Sequence, residues 1–195
     1  MKDNEFQNER ETVGQLFVSA FYDLLDIVVP ALLVVSIVFL FFLRTAGVDG
    51  DSMNTTLNNT DRLLMTNFCY EPHRGDIVII NRFTPGDEEV EEPLIKRVIG
   101  VAGDRVKVEA KAVYLNGKKL NEPYVNDAFL NDPRCDEIVV PEGCVFVMGD
   151  HRDDSLDSRQ KGCFPVKDIM GKAVWRLFPA KNFGTVYYNL PSGEQ

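Results

Sequence analysis

Three short stretches of this chain hold side chains that could do chemistry together. The first, VDGDSMNTTL at 48–57, sets Ser52 among small and polar residues. A serine hydroxyl becomes a nucleophile when a neighbouring base takes its proton. Taken alone, a serine in a Gly-Asp-Ser-Met turn more often closes a turn or caps a helix. The second stretch, LIKRVIGVAGD at 94–104, places Lys96 and Arg97 inside an otherwise apolar, strand-like run. Alternation along a strand sends the two side chains to opposite faces, so only one is expected to point inward. On the solvent side Lys96 would be an ordinary edge-strand lysine. Pointing inward, it would be disfavoured as an ammonium by apolar burial and could accept the proton of a serine hydroxyl. The third stretch, VMGDHRDDSLDSR at 147–159, follows a hydrophobic run with six charged residues, two serines and a histidine. That density predicts a polar network.

The elements that must position these groups come next. A chain of 195 residues suffices for one well-cored domain plus an appendage. Residues 27–43 read IVVPALLVVSIVFLFFL, 17 residues without a charge, just long enough for one transmembrane helix across a lipid bilayer. Pro30 is expected in the first turn of that run, where its missing amide hydrogen costs little. The leader at 1–26 is long and acidic, unlike a cleavable secretory signal, and its segment at 14–26 has helical spacing suited to a membrane surface. Residues 44–195 form the remaining domain. There, β-branched runs such as DIVIINRF, DRVKVEA and MGKAVWRLF alternate with turns, which predicts a mostly β fold. Asn116-Gly117 suits the two positive φ angles of a type I′ hairpin turn. Residues 86–92 and 126–136 read as surface loops. Ser52 stands nine positions after Leu43, so any site built on it works close to the membrane.

Composition narrows the function classes. The formal net charge of -9 leaves no broad basic surface for a phosphate backbone, and nucleic acid is not an expected partner. Cys69, Cys135, Cys144 and Cys163 form no CxxC pair. Cys69 and His73 lack a second ligand pair, so no metal is expected. A Cys135–Cys144 disulfide and two buried thiols both remain open readings.

Together the three stretches resemble the type I signal peptidases, a family of Ser/Lys proteases, in the family's own order along the chain. Ser52, Met53, Thr56 and Leu57 match its Ser-Met-x-Pro-Thr-Leu motif, and 74–78 look like its Arg-Gly-Asp-Ile-Val strand. Residues 96–104 are similar to its Lys-Arg-Val-Ile-Gly-x-Pro-Gly-Asp motif, 149–159 to its Gly-Asp-Asn-Arg and Ser-x-Asp-Ser-Arg run, and Gly171-Lys172-Ala173 to its final strand. Thr55 and Ala102 stand where the family has proline, and His151 where it usually has asparagine. His151 is read as a hydrogen-bonding substitute rather than the base.

The resemblance implies an all-β domain of coiled antiparallel sheets after the anchor, with Ser52 as nucleophile and Lys96 as base. It implies Ser155 hydrogen-bonded to Lys96, an Asp157–Arg159 ion pair shaping that loop, and support from Arg97 and Asp150. Gly50, Asp51 and Met53 would line the substrate site. Because Gly50 has no side chain to donate, the oxyanion donors would be the Ser52 amide and a second backbone group or water. Exported preproteins would be cut after a small residue, with the leader in the cytoplasm and the catalytic domain on the extracytoplasmic side of the cell membrane. No metal or organic cofactor is needed. Two rival readings stay open: a self-cleaving repressor-like Ser/Lys peptidase, which the apolar span argues against, and a membrane-tethered β module that binds without catalysis.

Overall fold

The computed structural model describes residues 2–54, 56–68, 70–81, 93–109, 112–125 and 135–186. The chain divides into two units, Met1–Phe42 and Leu43–Gln195. The first is one helix, α1 (Lys2–Phe42), in which Gln15–Ile37 has mean hydropathy 2.0 and is long and apolar enough to cross a membrane. The 14–26 segment runs on into the apolar stretch within this one helix. Pro30 is internal to α1 rather than in a first turn, so its ring leaves the carbonyl of Asp26 without the usual i→i−4 amide donor.

The second unit is mostly β, as the residue pattern predicts. Its strands are β1 (Arg44–Gly47), β2 (Arg62–Thr66), β3 (Ile77–Ile80), β4 (Leu94–Gly100), β5 (Arg105–Glu109), β6 (Ala112–Leu115), β7 (Lys118–Lys119), β8 (Cys135–Val139), β9 (Cys144–Met148), β10 (Phe164–Pro165), β11 (Ile169–Phe178) and β12 (Gly184–Thr185). The larger sheet runs β1-β2-β11-β3-β4-β9-β10, with β12 beside β11, and the smaller runs β7-β6-β5-β8. Neighbouring strands in both are antiparallel. β1 and β2 were not legible in sequence, because RTAG and RLLMT are short and flanked by polar turns.

β4 lies between β3 and β9, with Lys96 opposite Val78 and Arg97 opposite Ile77 and Met148. Both of its faces are covered. Ile95 packs with Met53, Leu57, Leu63 and Ile77, Ile99 with Val106, Phe146 and Met148, and Val98 with Val78, Ile80 and Val147. The expectation that only one of Lys96 and Arg97 turns inward is thereby corrected: alternation holds, yet there is no solvent face for either to take. The two side chains are 2% and 0% exposed.

Asn116 and Gly117 adopt φ of 52° and 80° between β6 and β7, the two positive angles expected of that turn. The 86–92 loop lies outside the described residues, as do 126–134, while Cys135 and Asp136 begin β8. Cys144 is a free thiol packed on the core, so it makes no disulfide with Cys135. Cys69 also lies outside the described residues.

Asp104 ties the turn before β5 to the segment leading into β3. It accepts from Arg74 Nε and Nη2 at 2.9 and 2.6 Å, from the Val101 amide at 2.9 Å and from Asn116 Nδ2 at 2.9 Å. Burial alone would raise its pKa, but these hydrogen bonds more than offset that and hold the carboxyl below the usual range. A depressed carboxyl stabilises the fold above its unfolded pKa, near 4, and loses that contribution as pH falls through the folded value. Asp104→Asn should therefore lower the thermal midpoint at pH 7, and the gap from the parent should narrow as the pH of the melt is taken below about 4.

Candidate active site

The nucleophile candidate sits in a turn bolted to the core on both sides. Gly50 holds φ of +89°, a conformation that suits a residue without Cβ, and brings the chain into the Asp51–Asn54 turn closed by the Asn54 amide on the Asp51 carbonyl at 2.9 Å. Met53, 1% exposed, and Leu57 are driven into the core beside Ile95 and Ile77. Met53 is thus an anchor beneath Ser52, whereas Gly50 and Asp51 stay exposed. Lys96 reaches this turn from β4, and its Nζ donates to Ser52 Oγ at 2.6 Å. The separation of 44 residues in sequence is closed across the larger sheet, where β1 and β2, which flank the serine turn, reach β4 by way of β11 and β3.

The neighbour of Lys96 does the holding. Arg97 Nε and Nη2 donate to the two oxygens of Asp150 at 2.8 and 2.6 Å, and its Nη1 donates to the Gly75 carbonyl at 2.9 Å. Asp150 also accepts from Thr56 Oγ1 at 2.5 Å, so the base strand and the nucleophile turn meet on one carboxylate. Burial by itself would lower the pKa of Arg97, and the hydrogen bonds and charge of Asp150 more than offset it and raise it. On the far side of the turn, Arg176 of β11 donates to the Thr56 carbonyl and lies 3.0 Å from Asp61.

Several parts of this network were missed in sequence. Arg152 Nε donates to the Gly149 carbonyl at 3.0 Å, and its terminal nitrogens are clamped by Glu122. The Tyr124 ring covers the Arg97 guanidinium at 4.0 Å, and its hydroxyl donates to Glu122 at 2.8 Å. Burial, then the Glu122 charge, hold that phenol well above its usual pKa, so it stays a donor. Glu122 and Tyr124 lie in NEPYV after the hairpin, which reads as an ordinary polar connection. The signal was the pairing of a charge with an aromatic ring beside a proline, and it is too common to single out.

Asp157 organises the other wall. It caps the short helix α2 (Ser158–Lys161), forming a capping box with Gln160. Its carboxylate accepts from the Gly149 amide at 3.0 Å, from Ser155 Oγ at 2.7 Å and from Arg159 Nε and Nη2 at 2.8 Å each. Gly149 is where the two walls touch. A Cβ built there would lie 2.3 Å from Ser155 Oγ and 2.4 Å from the Ser52 carbonyl, so only glycine fits. His151 completes the join, with its amide on the Ser52 carbonyl at 3.0 Å and its Nδ1 3.3 Å from the Asp51 carbonyl. A cavity of about 590 Å³ is lined among others by Val48, Met65, Ile79 and Ile95. Ser52 and Lys96 are outside its lining, but each follows closely in sequence on a residue that forms it, Val48 and Ile95.

Residues 21–178 match the family described as "Signal peptidase, peptidase S26". The chain belongs to this family. It is 37% identical over 167 residues to signal peptidase I S of Bacillus subtilis (strain 168), covering 78% of this chain and 84% of that one. To signal peptidase I of Bacillus caldolyticus it is 33% identical over 168 residues, 78% of this chain and 89% of that one. A solved structure, a signal peptidase I from Enterococcus faecalis V583, aligns with TM-score 0.43 and 28% identity over 53% of this chain and 97% of that chain. As a family member the chain is a hydrolase, a serine endopeptidase. That sets aside the tethered binding module.

Two substitutions probe the frame. Gly149→Ala must push Ser155 or the Ser52 turn aside, and displacement on the order of 1 Å should cost about 100-fold in kcat, read in a peptide-cleavage assay. Asp150→Asn leaves the buried Arg97 charge without its counter-ion and should lower unfolding free energy by about 3 to 5 kcal/mol in a denaturant titration.

Proposed function

We propose that this serine endopeptidase removes signal peptides from exported preproteins with Ser52 as nucleophile and Lys96 as general base. The observation that carries the reading is the 2.6 Å contact between Ser52 Oγ and Nζ of a lysine enclosed in an apolar strand. With the amine neutral, the same contact runs in reverse and the hydroxyl donates. Ser52 Oγ then attacks the scissile carbonyl as its proton passes to Lys96, and the collapse of the tetrahedral adduct gives an acyl-enzyme while Lys96 protonates the leaving amine. Water, deprotonated by the same lysine, releases the acyl group. The Ser52 amide is the first oxyanion donor, and a backbone group or water is the second. Ser155, whose hydroxyl proton is committed to Asp157, offers its lone pairs to the Lys96 amine and keeps it on line.

The apolar wall formed by Val48, Met65, Ile79 and Ile95 supports a substrate strand bearing small side chains, and hence a cut after an Ala-x-Ala type sequence. Gly50 and Asp51, exposed at the rim, would meet the backbone of that strand. Residues 27–43, of which 27–42 lie in α1, would form a single-pass anchor in the cell membrane, with the leader at 1–26 in the cytoplasm and residues 44–195 on the extracytoplasmic side, where signal peptides emerge. Nine positions separate Leu43 from Ser52, a span of at most about 30 Å.

The test uses the full chain in detergent with a preprotein carrying an Ala-x-Ala site and reads product masses. The parent should cut after the final alanine. Ser52→Ala and Lys96→Ala, each with an unchanged melting profile, should leave the preprotein intact. Turnover by Ser52→Ala would overturn the nucleophile assignment, and turnover by Lys96→Ala the base.

A further inference from the structure

The Asp51 carbonyl and the Ser52 amide belong to one peptide unit, which is planar and trans, so the C=O and the N–H point in opposite directions. Whatever holds the Asp51 oxygen therefore aims the Ser52 N–H. Two donors meet on that oxygen. One is the Asn54 amide at 2.9 Å, which lies in the same turn and moves with it. The other is Nδ1 of His151 at 3.3 Å, which comes from the turn after β9. A carbonyl only accepts, so Nδ1 carries the hydrogen in this contact. The peptide unit on the other side of Ser52 is held by the same residue, since the His151 amide donates to the Ser52 carbonyl at 3.0 Å. Both units flanking the serine are thus tied to one residue, whose own backbone is placed by Gly149 and Asp150.

The aim of this amide matters more here than in a site with a side-chain donor two residues before the serine, because Gly50 supplies none. Of the two ties, the backbone one survives any side-chain change and the ring one does not. We infer that the His151 imidazole is a positioning residue for the oxyanion site: by holding the Asp51 carbonyl it directs the Ser52 N–H at the oxygen that gains charge in the reaction. This rests on Ser52 being the nucleophile and on its amide serving the oxyanion.

Because the oxyanion exists only after attack, the loss of its donor should appear in kcat and spare KM. A peptide aldehyde of the substrate sequence gives a second readout. Ser52 Oγ bonds to the aldehyde carbon, the carbonyl π bond breaks, and the serine proton passes by way of Lys96 to the hemiacetal oxygen, which occupies the oxyanion position. The full chain in detergent is compared as parent, His151→Ala, His151→Asn and Ser52→Ala for kcat, KM, aldehyde inhibition constant and thermal midpoint. His151→Ala should lose about three- to tenfold in kcat, the scale of one hydrogen bond, and weaken aldehyde inhibition by the same factor at unchanged KM and midpoint. His151→Asn, whose side-chain N–H can reach the same carbonyl, should restore most of both. The inference is overturned if His151→Ala matches the parent, or if its losses come with a lowered midpoint and His151→Asn does not restore them. Activity retained in Ser52→Ala would instead remove the nucleophile reading on which the inference stands.

Discussion

A buried ion pair, Arg97 with Asp150, sets the separation between the two halves of the site. Removing both charges from water is costly, and the pair is stable only because its geometry is bidentate and the remaining lone pairs and hydrogens are taken up by Thr56 and the Gly75 carbonyl. Lys96 is the next residue along the same strand, and Thr56 lies four residues after Ser52. The pair therefore fixes a strand and a turn against each other at the point where serine and lysine meet at 2.6 Å.

Around this pair the molecule is built to admit no slack. Tyr124 covers the guanidinium, Glu122 clamps Arg152, and Arg152 holds the Gly149 carbonyl while Asp157 holds its amide. Gly149 is then gripped from both sides of its backbone, and its missing Cβ is filled by Ser155 and the Ser52 carbonyl. The smaller sheet contributes through the segment after β7, which ties a region with no reactive group of its own to the geometry of the reactive ones. The division of labour is plain: apolar residues such as Met53 and Leu57 fix where the nucleophile turn lies, and charged groups fix how it is oriented.

Much of this was legible in sequence. Ser52 in its turn, Lys96 in an apolar run and the charged cluster from Asp150 to Arg159 announced a polar network, and the β-branched runs and Asn116-Gly117 announced the antiparallel domain. These signals are local, each carried by a few adjacent residues whose types are unusual for their surroundings. Strand alternation applied to Lys96 and Arg97 misled, because it divides two side chains between faces without saying whether either face meets water. β1 and β2 were missed for the opposite reason: RTAG and RLLMT are too short for a period to emerge, and their strand character comes from pairing with each other and with β11.

What the sequence alone determined was the kinds of groups and the order in which they occur: an apolar span, a serine soon after it, a lysine in a strand, and an acidic turn with Ser155 and Asp157. What only the tertiary structure decided was which of these groups touch. Sequence spacing bounds the reach of a chain, but it does not carry the strand order, β1-β2-β11-β3-β4-β9, across which Lys96 and Ser52 meet. Nor does it show that Glu122 and Tyr124, in a stretch with no chemical signature, close over Arg97 and Arg152. Those contacts join residues about 25 to 30 positions apart, and they gain strength from a low-dielectric interior that exists only once both sheets have formed.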